Sequence, residues 1–420
     1  MKDRRKSILV IGGGVIGLCV AHYAAQRGHT VTIIDRGTPD GDRCSSGNAG
    51  MIVPSHFIPL AAPGMIAMGL SMMRNPRSPF YIKPRLSWEL LTWGWNFWRA
   101  ATASKVAQAA PVLRDLHLAS LAAYQKLATE FANDFGLTQN GLLMLCKTEQ
   151  TLHEEAEVAG RAVALGIPAE VLNRAQTAAK EPNINMDVAG AVFFPKDSHL
   201  TPQELINSLR ARLEQSGIKF LWQTPLESWR FKGPRLTAAK TSQGDLEFDE
   251  CVICAGVWST PIARSLGLRL PMLAGKGYSL TLPAPAHLPK TCAILTEARV
   301  AVTPMGQTLR FGGTMELVGL DESTNPQRVE GIILSIPNYY PQFSPADFKA
   351  IPAWHGLRPC PPDGLPYIGR TRRYNNVLIA TGHGMMGISL APITGQIIAA
   401  AISNEPTHFN LTQLHPDRYT

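Results

Sequence analysis

The segment that most constrains this chain runs from Ile8 to Asp35. Ile8-Leu-Val-Ile11 is a short apolar run of the kind that forms a central parallel strand. Gly12-Gly-Gly-Val-Ile-Gly17 follows at once, and Val15 to Gln26 carries helical spacing, with Gly28 placed to end it. Val31-Thr-Ile-Ile34 reads as the next strand, with Asp35 at its end. Strand, glycine turn, helix, strand and acid together make a βαβ fingerprint for a dinucleotide. Gly12 allows the tight turn, Gly14 lets the backbone approach a pyrophosphate, and Gly17 lets the helix pack close to the strand. The free N–H groups at the start of the helix, around Val15 and Ile16, attract the phosphates. Asp35, 18 positions after Gly17, is placed to accept hydrogen bonds from an adenosine ribose, with Arg36 beside it. The pattern alone does not choose between FAD and NAD.

The rest of the chain repeats this alternation at intervals. A Gly/Ser/Asp-rich loop spans 40–50. Leu113 to Phe135 has the spacing of a long amphipathic helix, Gly141 to Lys147 reads as a strand, and Leu152 to Leu165 as a helix. Thr201-Pro202 reads as the N-cap and first turn of a helix ending near Gln215. Phe220 to Gln223 is a strand, Leu236 to Thr241 and Leu246 to Phe248 a small antiparallel insert, and Cys251 to Ala255 a central strand ending at Gly256. Strands dominate from Leu280 to Tyr340, and Val377 to Ala401 is strand, glycine-rich turn and helix. This order implies one nucleotide domain interrupted by insertions that build a second domain.

Composition narrows the function. The 420 residues carry a net charge of +8, but the basic residues are scattered and only Lys2 to Lys6 form a run. That run reads as a solvated terminus, and no nucleic-acid module is present. Seven cysteines at irregular spacing argue for a reducing compartment rather than a disulfide framework. Cys251 and Cys254 lie in an apolar run with no second pair, which reads as core and not as a zinc site, so no metal is expected. A cytoplasmic protein, soluble or peripheral on the inner face of the cell membrane, is expected. Met65 to Ala101 is unusual: Pro76, Pro79 and Pro84 precede Trp88, Trp93, Trp95 and Trp98. It reads as a cap with its aromatics mostly packed inside, partly as an apolar face toward a membrane.

Four stretches carry a resemblance. They are the βαβ unit with Asp35; Ser45-Ser46-Gly-Asn48-Ala49-Gly50; Trp354 to Gly369, with Arg358-Pro-Cys-Pro-Pro-Asp-Gly-Leu-Pro at its centre; and Gly382-His383-Gly384-Met385-Met386-Gly387-Ile388. The chain resembles the FAD-dependent D-amino-acid oxidase and dehydrogenase superfamily, and is most similar to the bacterial D-amino-acid dehydrogenases. Most members carry Glu where this chain has Asp35. Asn75 to Pro84, Gly275 to Thr281 and Arg310 to Glu316 favour the dehydrogenase branch.

The resemblance implies an α/β (α+β overall) fold. A Rossmann-like FAD-binding domain of the glutathione-reductase type (1–52, 198–268, 352–420) would be interrupted by a substrate-binding domain (53–197, 269–351) with a mixed, largely antiparallel sheet. It implies FAD held without a covalent bond by the glycine turn, Asp35, Arg36, the 45–50 loop, Ala255, Gly256 and the 384–388 turn. It also implies oxidation of a D-amino acid by hydride transfer from Cα to flavin N5, with electrons passed to a membrane quinone or other acceptor. Arg358 falls where glycine oxidase holds its substrate carboxylate; Tyr278, His56 and His383 are further candidates. Where glycine oxidase has a second arginine, this chain has Met385, so Met385 and Met386 are candidate side-chain pocket residues. A cyclic secondary amine substrate, a peroxide-forming oxidase, a non-catalytic flavin subunit of a membrane complex and an NAD enzyme are the competing readings. The oligomeric state stays open.

Overall fold

A computed structural model describes residues 5–41 and 43–420. The first part of the Lys2–Lys6 run and Asp42 of the 40–50 loop lie outside the described residues. Arg5 and Lys6 are tied down, the first to Thr30 Oγ1 at 2.9 Å and the second to Glu250 at 3.2 Å.

The βαβ unit forms where the apolar runs place it. Ser7–Ile11 lies between Thr30–Ile34 and Glu250–Ile253 as a parallel strand, because each of the three is apolar enough to be covered on both faces. Lys219–Leu221 and Val377–Thr381 extend the parallel set outward, and Tyr367–Arg370 closes it antiparallel, giving six strands. Helices Val15–Gln26, Ala103–Glu130, Pro202–Gln215 and Gly387–Ile402 pack into one core on one face. A three-stranded antiparallel sheet, Leu226–Lys232, Arg235–Thr241 and Gly244–Glu247, covers the other through Trp229, Leu236 and Ala239.

The second sheet runs Trp354–Cys360, Leu273–Pro283, Thr308–Leu317, Val300–Met305, Cys292–Leu295, Leu142–Cys146, Gly190–Phe194, Glu170–Asn173. Phe80–Ile82 pairs in parallel with Thr308–Leu317, and Cys292–Leu295 with Leu142–Cys146; the other neighbours are antiparallel. The sheet is thus mixed and largely antiparallel, as expected. Trp354–Cys360 belongs to this sheet, so the chain rejoins the six-stranded sheet only at Tyr367, not at 352.

Three elements differ from their sequence reading. The long helix starts ten residues earlier than Leu113, at Ala103, because Thr102 caps it by accepting from Lys105 N and Pro111 is accommodated inside. Thr201 stands at the N-cap of Pro202–Gln215, but its side chain makes no cap bond. The strand-rich region also holds a helix, Pro326–Ser335, started by Asn325 accepting from Gln327 N. Gly384–Ile402 is long and apolar enough to cross a membrane, with mean hydropathy 1.7, but two-thirds of it is buried, as in a core helix.

Candidate active site

A cleft of about 720 Å³ opens at the carboxyl ends of the parallel strands, where doubly wound sheets bind ligands. Gly12, Gly14, Val15, Ile16, Asp35 and Arg36 line one end, and Ala255, Gly256, His383, Gly384, Gly387 and Ile388 line other parts. Ser45 and Asn48 border it as well, with Cys44 beside them.

The glycines divide the work. Gly12 has φ +111, and a Cβ there would lie 2.6 Å from Cys254 O. A Cβ on Gly17 would lie 1.9 Å from Gly12 O, so Gly17 does not line the cleft but lets the helix lie against the strand. Gly14 is different: its nearest neighbour is Ser45 Oγ at 3.7 Å, so the space beside it is open cleft. The N-cap residue Gly14 offers no side chain to the helix Val15–Gln26; Val15 N donates to Ser45 Oγ at 3.4 Å, and the N–H groups that follow are left to a ligand. An uncapped helix start, an open glycine cradle and an acid at the next strand end fit the pyrophosphate and ribose of FAD.

Asp35 is already engaged. Its carboxylate accepts from Gly13 N and Gly37 N, both at 2.7 Å, and from Arg43 Nε at 3.4 Å. It therefore braces the glycine turn as well as facing the cleft. Arg36 stacks over Trp258, 3.8 Å from the ring centroid, and both line the cleft.

In the 45–50 loop the backbone C=O groups of Ser46 and Asn48 both accept from Arg310 Nη1, at 2.9 and 2.7 Å. Arg310 also reaches Thr281 Oγ1 at 3.0 Å, so it ties this loop to the large sheet. Burial pushes its pKa down to about 10, and among the described residues no carboxylate pairs with it. Sequence reading quoted Arg310 in a motif but assigned it no role. Ala49 packs into the core and Gly50 turns the chain at φ +71 against Leu200 O; neither lines the cleft.

Arg358 lies at the edge of the site. Its strand neighbours Gly356, Leu357 and Pro359 line the cleft, whereas its own side chain passes over Gly277, where a Cβ would be 2.0 Å from Nη1. Nη1 donates to Thr314 O at 2.7 Å. Among the described residues no carboxylate pairs with it. Burial lowers its pKa, with the nearby Cys44 and Cys360 acting the other way. Cys44 lines the cleft; burial pushes its thiol up to about 11 while the Arg358 charge pulls it down.

The remaining candidates are placed elsewhere. Tyr278 is a correction: its hydroxyl donates to Glu316 Oε2 at 2.5 Å and accepts from Asn325 N at 3.1 Å, deep in the large sheet's core. Strand alternation turns it to the face opposite Gly277, so it is committed to packing. His383 borders the cleft, but its ring bonds Thr394 Oγ1 at 2.9 Å and burial lowers its pKa to about 3. His56 does not line the cleft. Its Nδ1 lies 3.0 Å from Ser55 Oγ, Ser55 donates to Asp197, and burial lowers the imidazole to about 4. Met386 caps Gly387–Ile402 and packs into the core; Met385 is exposed, and neither lines the cleft.

The model of the DAO family, described as FAD dependent oxidoreductase, matches residues 7–401. A D-amino acid dehydrogenase of Granulibacter bethesdensis is 31% identical over 98% of this chain and 99% of that protein. One of Paramagnetospirillum magneticum is 30% identical over 98% and 99%. Among solved structures, glycine oxidase from Geobacillus kaustophilus superposes with a TM-score of 0.79 at 23% identity over 99% of each chain. L-Proline dehydrogenase from P. horikoshii superposes at 0.75 with 18% identity, over 99% of this chain and 98% of that one. The two structures share the fold. With a full-length family match, curated relatives at this identity and a cleft shaped for a dinucleotide, the chain belongs to the DAO family of FAD dependent oxidoreductases.

Proposed function

We propose that this chain is a D-amino-acid dehydrogenase that deaminates its substrate oxidatively. The observation that carries the reading is Arg358: a half-buried guanidinium beside the cleft with no carboxylate partner among the described residues. A planar fork of this kind suits a substrate carboxylate. Bound FAD supplies the two-electron acceptor for the Cα hydride. The glycine turn, Asp35 and Arg36 hold the adenosine and pyrophosphate, and the 45–48 loop, braced by Arg310, supports the flavin. The start of Gly387–Ile402 directs free N–H groups into the cleft and stabilises negative charge there.

No protein base is needed if the amine enters neutral; His56 does not line the cleft and the ring of His383 is engaged with Thr394 Oγ1. The substrate leaves as an imino acid, which water converts to a 2-oxo acid and ammonia. The electrons pass to a quinone-type or other acceptor at the inner face of the membrane. The substrate domain is 53–197 and 269–351, with Trp354–Cys360 added to its sheet.

Anaerobic mixing of the holoenzyme with D- and L-amino acids, glycine, sarcosine, D-proline and hydroxyprolines tests this. Bleaching of the flavin by a D-form and not by its L-form is expected. Bleaching by D-proline or a hydroxy-D-proline alone narrows the substrate to a cyclic secondary amine. No bleaching by any of them refutes the proposal. Peroxide formation on turnover in air identifies an oxidase instead.

A further inference from the structure

The helix Trp88–Ala100 is apolar on two opposite faces. Leu90, Trp93 and Phe97 point inward and pack with Phe80, Ile82, Leu273 and Leu317. Trp88, Leu91, Trp95 and Trp98 follow a spacing of three, four and three residues, which puts them within about 80° of the helix circumference, on the other side. They are 81%, 60%, 59% and 57% exposed. Trp98 borders a groove completed by Ile66, Ala67 and Leu70 of the helix Met65–Met72, and Leu86 lies fully exposed before Trp88. Three of the four tryptophans in this segment thus face solvent, whereas the sequence reading had most of them packed. An apolar face of this size on one helix needs a partner.

Charge selects the partner. Residues 57–106 hold six basic side chains, Arg74, Arg77, Lys83, Arg85, Arg99 and Lys105, against one acid, Glu89. Arg77 pairs with Glu330 and Glu89 with Arg264. The other five cations form no ion pair among the described residues. A second copy of this chain would bring like charges together, whereas an anionic lipid surface complements them. Tryptophan favours the boundary between headgroups and acyl chains, with its ring apolar and its N–H wet.

We propose that this face docks on an anionic lipid bilayer, with Trp88, Leu91, Trp95 and Trp98 entering the interface and the five cations meeting lipid headgroups. The inner face of the same helix explains the placement: Trp93 Nε1 donates to Cys360 O at 2.8 Å, on the strand that carries Arg358. The lipid then lies about one helix diameter, roughly 10 Å, from that strand, which suits an acceptor dissolved in the membrane. The inference uses no feature of the cleft and stands or falls apart from the substrate reading.

Holoenzyme is sedimented with vesicles of phosphatidylglycerol and phosphatidylcholine, and with phosphatidylcholine alone. Binding to the anionic vesicles with a blue shift of tryptophan emission, and its release by 1 M salt, is expected; screening at that salt extends over only about 3 Å. Replacing one of the five cations by Gln lowers the partition coefficient about fivefold. The W88S/W95S/W98S variant loses binding while keeping wild-type flavin content and wild-type flavin bleaching by substrate, because these side chains lie outside the core and the cleft. Equal binding to both vesicle types, or none to either, overturns the proposal. So does a concentration-dependent dimer in analytical ultracentrifugation that W88S/W95S/W98S abolishes, which assigns the face to a second copy.

Discussion

Gly14 and Gly17 lie three residues apart in one turn, yet the structure assigns them different tasks, and alanine separates them. In Gly17→Ala the new Cβ would start 1.9 Å from Gly12 O and must reach at least 3.0 Å, an opening of 1.1 Å between turn and helix. Neither side yields easily. Gly12 already abuts Cys254 O, and the helix is pressed against Gly387–Ile402, where a Cβ on Gly395 would meet Cys19 O at 2.6 Å. Overpacking of this kind costs about 1–3 kcal/mol, more than the roughly 1 kcal/mol that alanine gains over glycine in a helix. The net cost, up to about 2 kcal/mol, should lower the melting temperature of the apoprotein by up to about 2 °C. FAD affinity should fall at least about tenfold, because the helix start no longer meets the phosphates squarely.

In Gly14→Ala the backbone is extended, at φ −75 and ψ 175, and the Cβ meets only Ser45 Oγ at 3.7 Å. The apoprotein should melt as the wild type does, while FAD affinity falls about a hundredfold or more, since the methyl occupies the approach to the pyrophosphate. Calorimetry of both apoproteins and titration with FAD, followed by flavin fluorescence, give the two quantities separately. If Gly14→Ala binds FAD as tightly as the wild type, or destabilises the apoprotein as much as Gly17→Ala does, the division of labour is refuted.

Three further outcomes follow from the geometry. Arg358→Lys keeps the charge and loses the fork, so the substrate KM should rise about tenfold or more while FAD content stays unchanged; an unaltered KM would remove Arg358 from the carboxylate site. Tyr278→Phe deprives the buried Glu316 of its short hydrogen bond and should cost about 1–3 kcal/mol in denaturant unfolding. Its KM should not change, and a large KM increase would return Tyr278 to the substrate site. Burial pushes the Asp197 carboxyl up to about 7 against the hydrogen bonds from Ser55 that pull it down. Its contribution to stability is thus full below the unfolded carboxylate pKa and is lost as pH rises toward 7. Asp197→Asn should remove that loss, raising the free energy of unfolding relative to wild type above pH 7 by an amount on the order of 4 kcal/mol at most, with the two proteins converging near pH 4. A difference independent of pH would mean that Asp197 does not titrate in the fold.

Much of the site is local and was therefore legible. The glycine turn, its helix and Asp35 lie within one stretch of chain, and the turn before Gly387–Ile402 is likewise contiguous, so residue order alone places their backbone groups. The roles that were misread depend on side-chain direction. Tyr278 and Gly277 are adjacent, but the pleat sends one into the core and leaves space beneath Arg358 at the other. Met385 and Met386 carry the same side chain, yet the turn before Gly387–Ile402 packs one partly against the core and exposes the other.

By itself the sequence determined the βαβ unit and its fit to a dinucleotide, because hydrophobic period and glycine spacing act over a few residues. Tertiary structure alone decided which distant groups meet. Arg310 reaches back to hold Ser46 and Asn48, and Ser55, His56 and Asp197 form one buried cluster from segments far apart in the chain. It also decided which apolar stripe of Trp88–Ala100 is covered. Both stripes obey the helical period, and only the large sheet's presence under Trp93 distinguishes core from surface.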